Sequence, residues 1–194
     1  MECNPIACPF YFKEGKILSR TLLLLINVLL LLSTNSFSQD IPVIRNYVTD
    51  DDSILSTNEY QHIDSLCKKI FNNKIAQIVV IVYKQMPKEA TKYDNLLLYA
   101  ARIGNVNGIG RKDINDGVVI LTVIKDRQIA IANGYLIGEI VPDSTTSRII
   151  SQVITPRFKK EEYGKGLIDC IEVLKEEIVK RRKYMHPDNK KYKE

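Results

Sequence analysis

Apolar residues recur along this chain at two spacings, and each switch between them marks an element. Ser56-Thr57-Asn58-Glu59 has the spacing of a capping box, in which a Ser and a Glu side chain satisfy each other's orphan backbone donors at a helix start. Tyr60, Ile63, Leu66, Cys67, Ile70 and Phe71 follow at helical periodicity, so a helix is expected from the box to Asn72-Asn73. Ala76 to Tyr83 is almost wholly apolar and β-branched, the composition of a strand covered on both faces. A second helix is expected over about Lys92 to Ile103, leading through a glycine-rich loop, Gly104 to Asp116, into a run of aliphatic residues from Val118 to Ile124. Lys125-Asp126-Arg127 breaks that run, and Gln128 to Asn133 then alternates polar with apolar up to Gly134, which predicts a hairpin turning at Asp126-Arg127. Asp143-Ser144-Thr145 is expected to cap a third helix reaching about Ile154 and ended by Pro156, and Gly164 to Lys183 reads as a long amphipathic fourth helix. Helix alternating with strand in this way predicts a single-domain α/β sandwich around a mixed sheet.

The hairpin brings chemistry together. It returns the chain to its starting end, so Asn115 and Asp116 are expected beside Asn133 and Gly134, with Glu139 and Asp143 close by. Hard cations such as calcium take six or more oxygen ligands from carboxylates, amides and carbonyls on loops, and Asp113, Asn115, Asp116 and Asp143 supply several. The spacing is not that of an EF-hand, whose glycine follows three acidic or amide positions. Asn, Asp and Gly also favour turns and helix starts for local reasons, so an ordinary structural role stands beside the metal reading. Asp50, Asp51 and Asp52 divide in the same way, between a solvated acidic lead-in and a part in the site.

The N-terminus bears on compartment. Lys13, Lys16 and Arg20 precede an apolar stretch from Thr21 to Leu32, and Ser36-Phe37-Ser38 offers small residues before Gln39, the architecture of a secretory signal peptide over residues 1–38. The apolar stretch contains Asn27 and falls short of the ~20 residues of a spanning helix, so an uncleaved anchor is the second reading. An exported protein, periplasmic or extracellular, is expected, with a domain over residues 39–183 and a basic tail over 184–194. From Gln39 on there are 25 basic and 21 acidic residues, and seven of the basic ones lie in Lys180 to Glu194, so the body is close to neutral. Basicity therefore gives no case for nucleic acid as a partner. The tail could instead touch an anionic membrane surface or remain solvated. Cys67 and Cys170, the two cysteines beyond the leader, each lie on an apolar helical stripe, which suits buried thiols or a helix-to-helix disulfide.

Other arrangements fail on context. Gly104, Gly108 and Gly110 with Arg111 and Lys112 resemble a phosphate-cradling loop, yet this one follows a helix and enters a strand, the reverse of what such loops need. Its glycines are expected to permit a tight connection, with Arg111 and Lys112 exposed. His62 and His186 are separated by most of the chain, and neither has the neighbours of a catalytic base.

Taken in order, VTDDDSILS from Val48, the strand QIVVIVY, GIGRKDINDGVVIL, KDR, NGY, VPD and TPRFKKEEYGKGL resemble the TPM-domain family over roughly Val48 to Leu174. That family includes thylakoid-lumen proteins and exported bacterial proteins regarded as phosphatases, some described as binding calcium. The resemblance implies a three-layer α/β/α sandwich with a divalent-cation site, and more weakly a phosphatase. By position, the family's acid after the N-terminal valine falls on Asp50, and its Asp or Asn before the central glycine on Asp116. Asp126-Arg127 matches its turn, and Asp143 the acid opening the next helix. Where the family shows Gly-Tyr-Gly-Leu-Glu, this chain has Gly134-Tyr135-Leu136-Ile137-Gly138, and Glu139 is displaced by one. The expected ion ligands are therefore Asp116, Asp143, Asn115, Asp113, Asp50 and Glu139. Two functions follow as expectations: a binding or assembly module acting on envelope proteins, or a low-activity metal-dependent acid phosphatase in which a metal polarises phosphate while Asp116 or Asp50 positions water.

Overall fold

The computed structural model describes residues 41–185, so the expected leader and most of the expected tail lie outside the described residues. The elements in chain order are β1 (Val48–Thr49), α1 (Thr57–Asn72), β2 (Gln77–Tyr83), a 3-10 turn (Lys88–Lys92), α2 (Leu96–Val106), β3 (Gly117–Val123), β4 (Gln128–Asn133), α3 (Tyr135–Ile140), α4 (Asp143–Ile149), a π turn (Ile150–Ile154), α5 (Thr155–Phe158) and α6 (Tyr163–Met185). The capping box forms as its spacing requires: Ser56 Oγ accepts the Glu59 N–H and Glu59 Oε2 accepts the Ser56 N–H at 3.0 Å. From there Ile63, Leu66, Cys67 and Ile70 make the buried stripe of α1.

The sheet runs β1-β2-β3-β4, with β2 parallel to both β1 and β3 and β4 antiparallel to β3. Side-chain alternation sends Ile78, Val80, Val82, Val118, Ile120 and Ile131 to one face, where they pack with α1 and α6. Val79, Ile81, Val119, Leu121, Ala130 and Ala132 go to the other, where Tyr99, Ala100 and Ile103 of α2 cover them. Two cores on either side of a mixed sheet make this a three-layer α/β/α sandwich, as expected. The central strands are apolar but for Gln77 and Thr122 because both of their faces are covered.

Three elements differ from expectation. The second helix starts at Leu96, since Asn95 Oδ1 accepts the Leu98 N–H at 2.9 Å and fixes the N-terminus there; Lys88–Lys92 forms a separate 3-10 turn. Pro156 does not end the third helix. The chain widens into the π turn, where the Ile150 carbonyl accepts both the Thr155 N–H and, at 2.8 Å, its hydroxyl. Pro156 then sits in the first turn of α5, where a missing N–H costs nothing. Asp143 is the first helical residue of α4 rather than its cap, which is Pro142. Finally, α3 was not foreseen: six residues are marginal as an isolated helix, but burying Leu136, Ile137 and Ile140 at ~1.5–3 kcal/mol each holds it in place.

Candidate functional site

Polar residues gather at two ends of the sheet, and the strand directions keep them apart. Asp116 precedes β3 at the level of Ala76, because Gly117 pairs with Gln77, whereas Asp50 follows β1 at the level of Val82, because Thr49 pairs with Ile81. Six residues of strand separate those levels, about 20 Å. Asp50 therefore does not join Asp116, contrary to the single ligand set expected above.

At the Asp116 end the hairpin closes as predicted. Gly134 N–H donates to the Gly117 carbonyl at 2.8 Å, and Leu136 N–H donates to the Asn115 carbonyl at 3.2 Å. The approach is close enough that a Cβ on Gly117 would lie 2.1 Å from the Ile109 carbonyl oxygen, and one on Gly134 2.5 Å from that of Asn115. Of the loop glycines expected to permit a tight connection, Gly110 does so: at φ 111° a Cβ there would lie 2.6 Å from the Gly117 nitrogen.

The Asp116 side chain is fully buried, and Arg111 engages both of its oxygens. Oδ1 accepts the Arg111 backbone N–H at 2.9 Å, while Oδ2 accepts Nε at 2.9 Å and also Nη2. Two donors of one guanidinium converging on a carboxylate form a strong charge-assisted contact. Arg111 is thus a half-buried structural cation, not the exposed residue expected. Its Nη2 reaches the Lys74 carbonyl at 2.7 Å, and Arg182 of α6 reaches the Lys74 and Ile75 carbonyls at 3.0 and 2.7 Å. Two arginines therefore pin the turn between α1 and β2, where Lys74 adopts a φ of 56°.

The remaining expected ligands are dispersed. Asp113 and Asn115 are exposed in the preceding turn, with Asn115 at φ 55°. Asp143 is exposed at the start of α4, and Glu139 is exposed on α3, where it bonds the Tyr135 hydroxyl and raises its pKa. Asn133 turns to another task, donating to Thr146 Oγ1 at 3.2 Å and to the Val141 carbonyl at 3.3 Å. A recess of about 170 Å³ beside Gly117, Asn133, Gly134 and Tyr135 has no charged side chain in its lining. It is smaller than the ~300–1,000 Å³ of ordinary ligand pockets.

The opposite end holds acids that also serve the backbone. Asp50 accepts the N–H groups of Ile54 and Leu55 at 3.0 and 2.8 Å, closing a turn in which Ser53 has φ 52°. Asp52 accepts the Lys84 N–H at 2.8 Å, and Asp126 accepts the Met86 N–H at 2.9 Å. The Asp126 turn therefore joins the acidic lead-in at this end, an association hidden from the sequence because it depends on β1 running parallel to β2. Among the described residues no three His, Cys, Asp or Glu side chains converge to hold a metal ion, and the expected ligands are not brought together as one set. His62 is exposed on α1.

A mixed four-stranded α/β/α sandwich whose polar ends are tied to its own backbone defines a class, and the sequence assigns the chain within it. The chain belongs to the TPM domain family, whose model matches residues 48–177. A comparison with curated proteins gives no match. Among solved structures, the N-terminal domain of a protein from P. gingivalis superposes with a TM-score of 0.61 at 20% identity, covering 70% of this chain and 83% of that one. The N-terminal domain of cg2496 from Corynebacterium glutamicum gives 0.53 at 11% identity, covering 71% and 87%. BA42 from Bizionia argentinensis gives 0.51 at 17% identity, covering 68% and 86%. At these identities the three structures establish the shared fold.

Proposed function

We propose that this TPM domain is an exported binding or assembly module of the cell envelope that works through its surface rather than by turnover. One observation carries the reading: the polar side chains expected to form a reaction centre are engaged in holding the fold or stand apart. Asp116 is bonded by Arg111, and Asp50, Asp52 and Asp126 accept backbone N–H groups. Asp113, Asp143 and Glu139 are exposed on separate elements. A phosphatase needs a nucleophile or an activated water, a proton acceptor and cationic groups around one phosphate. No such convergence occurs among the described residues. Export rests on the leader-like segment before Gln39, and the envelope partners on that address.

The test is phosphate release from a small phosphomonoester, measured with calcium, magnesium or manganese and with chelator. The expected rate equals that of buffer containing the same metal. Saturable turnover proportional to protein, abolished by Asp116→Asn or Asp50→Asn with the fold intact, would establish the phosphatase instead.

A further inference from the structure

The two edges of the sheet are finished differently. β1 is two residues long and offers little to pair with. β4 is six residues long and carries Ile-Ala-Ile-Ala in its middle, without the proline, lysine or bulge that ordinarily blunts an exposed edge. Its pairing with β3 fixes which backbone groups face outward. Gly134 and Gly117 form a hydrogen-bonded pair, so by antiparallel alternation Ala132 and Ala130 also bond inward to β3, and Ile131 and Ile129 direct N–H and C=O away from the sheet. Among the described residues no donor or acceptor meets those outward groups. Backbone polar groups in so apolar a setting require partners.

These groups form the floor of a groove. One wall is the N-terminal part of α2, where Leu97 is 47% exposed; the other is α4 and the π turn, through Thr146 and Ile150. The groove holds about 560 Å³ and continues past Gln128 and Ile129 into a recess of about 440 Å³ against Phe158 and Tyr163. β4 itself spans about 20 Å. The π turn is a second unusual feature of the same wall, and such turns recur at functional sites. Charge gives the groove a direction: Asp143 stands towards the Asn133 end, while at the Gln128 end Arg127 and Lys159 outnumber the single carboxylate of Glu161 and leave it net basic.

We infer that the β4 edge binds an extended peptide segment of a partner protein as a fifth strand, antiparallel to β4, with apolar side chains at alternate positions. The floor supplies main-chain hydrogen bonds, which only an extended backbone matches, and the two apolar walls receive successive side chains from opposite faces. A basic residue early in the segment meets Asp143, and an acidic residue late in it meets Arg127 and Lys159, which sets the antiparallel direction. This deepens the module reading on which it rests, yet the two are tested apart, since phosphate release decides the first and strand addition the second.

The experiment titrates the isotope-labelled chain with the synthetic peptide Lys-Val-Thr-Val-Thr-Val-Glu and follows amide shifts and hydrogen exchange. Saturable shifts centred on Ile129 and Ile131, with slowed exchange of those two amides, are expected. N-methylation of the peptide's alternate, inward-facing amides removes the hydrogen bonds and keeps the side chains, and should weaken binding about tenfold or more. The reversed-charge peptide Glu-Val-Thr-Val-Thr-Val-Lys and the exposed-wall variant Leu97→Glu should each weaken it as well. Two results overturn the inference: amides of Ile129 and Ile131 unmoved at millimolar peptide, or shifts there that depend on protein concentration alone, which would make a second copy of the chain the occupant.

Discussion

Asp116→Ala isolates the structural role assigned to the Asp116 end. It removes a fully buried carboxylate and leaves Arg111 with three donor contacts broken. Removing one partner of a buried ion pair costs ~3–5 kcal/mol. The Arg111 side chain keeps 25% of its exposure, so the stranded guanidinium regains some water and the loss should lie near the lower value, about 3 kcal/mol. For a domain of this size that corresponds to a melting point lower by ~6–12 °C. Asp116→Asn keeps an acceptor for the Arg111 backbone N–H and should cost less, about 2 kcal/mol. Urea unfolding followed by circular dichroism, in millimolar calcium and in chelator, measures both. A calcium ion held by Asp116 would stabilise only the native wild type, by an amount set by its concentration over Kd, and the gap between wild type and variant would widen with calcium. We expect the same gap in both conditions. A loss below about 1 kcal/mol, or a gap present only with calcium, would refute the structural assignment.

Three further outcomes follow from the packing. Gly117→Ala should destabilise by about 3 kcal/mol through the clash at Ile109, whereas Gly138→Ala, in a helix with open space around it, should be neutral or stabilising by up to ~1 kcal/mol; urea midpoints of the pair check the opposite signs. Hydrogen bonds from Arg181 first, and then from Arg148, hold the Glu177 pKa below the usual carboxylate range, so its stabilisation is present above that range and is lost as pH falls through the depressed value. Glu177→Gln should therefore cost about 1 kcal/mol at neutral pH and converge with wild type once the pH has fallen through the depressed Glu177 value, read from unfolding curves across the acid range. Burial pushes the Cys67 thiol up to about 12 and also raises Cys170, so neither should react with a thiol reagent until the chain unfolds, when both should react. A disulfide between them would leave them unreactive even then.

What the sequence revealed followed the range of the interaction. The Ser56–Glu59 box, the stripe of α1 and the hairpin at Asp126 are decided within a few residues, so spacing alone exposed them. α3 and the Asn95 start of α2 were missed because one depends on core burial and the other on a side chain choosing between turn and cap. The polar ends were half legible. The meeting of Asn115 with Gly134 follows from any hairpin, but the Arg111–Asp116 contact requires the loop to double back, with Gly110 at φ 111° and Gly117 against Ile109. The grip of Arg182 on a turn 107 residues earlier in the chain has no local signature. The distance between Asp50 and Asp116 rests on the parallel pairing of a two-residue strand, too short to announce its direction.

The most direct test of the claim that the Asp116 end holds the fold rather than an ion is a calcium titration of the isotope-labelled chain, read at the backbone amides of Arg111, Asp116, Gly117 and Gly134. The account predicts that these four amides stay in place through millimolar calcium, in wild type and in Asp116→Asn alike. Saturable shifts at those amides that Asp116→Asn abolishes would contradict it and make Asp116 a calcium ligand.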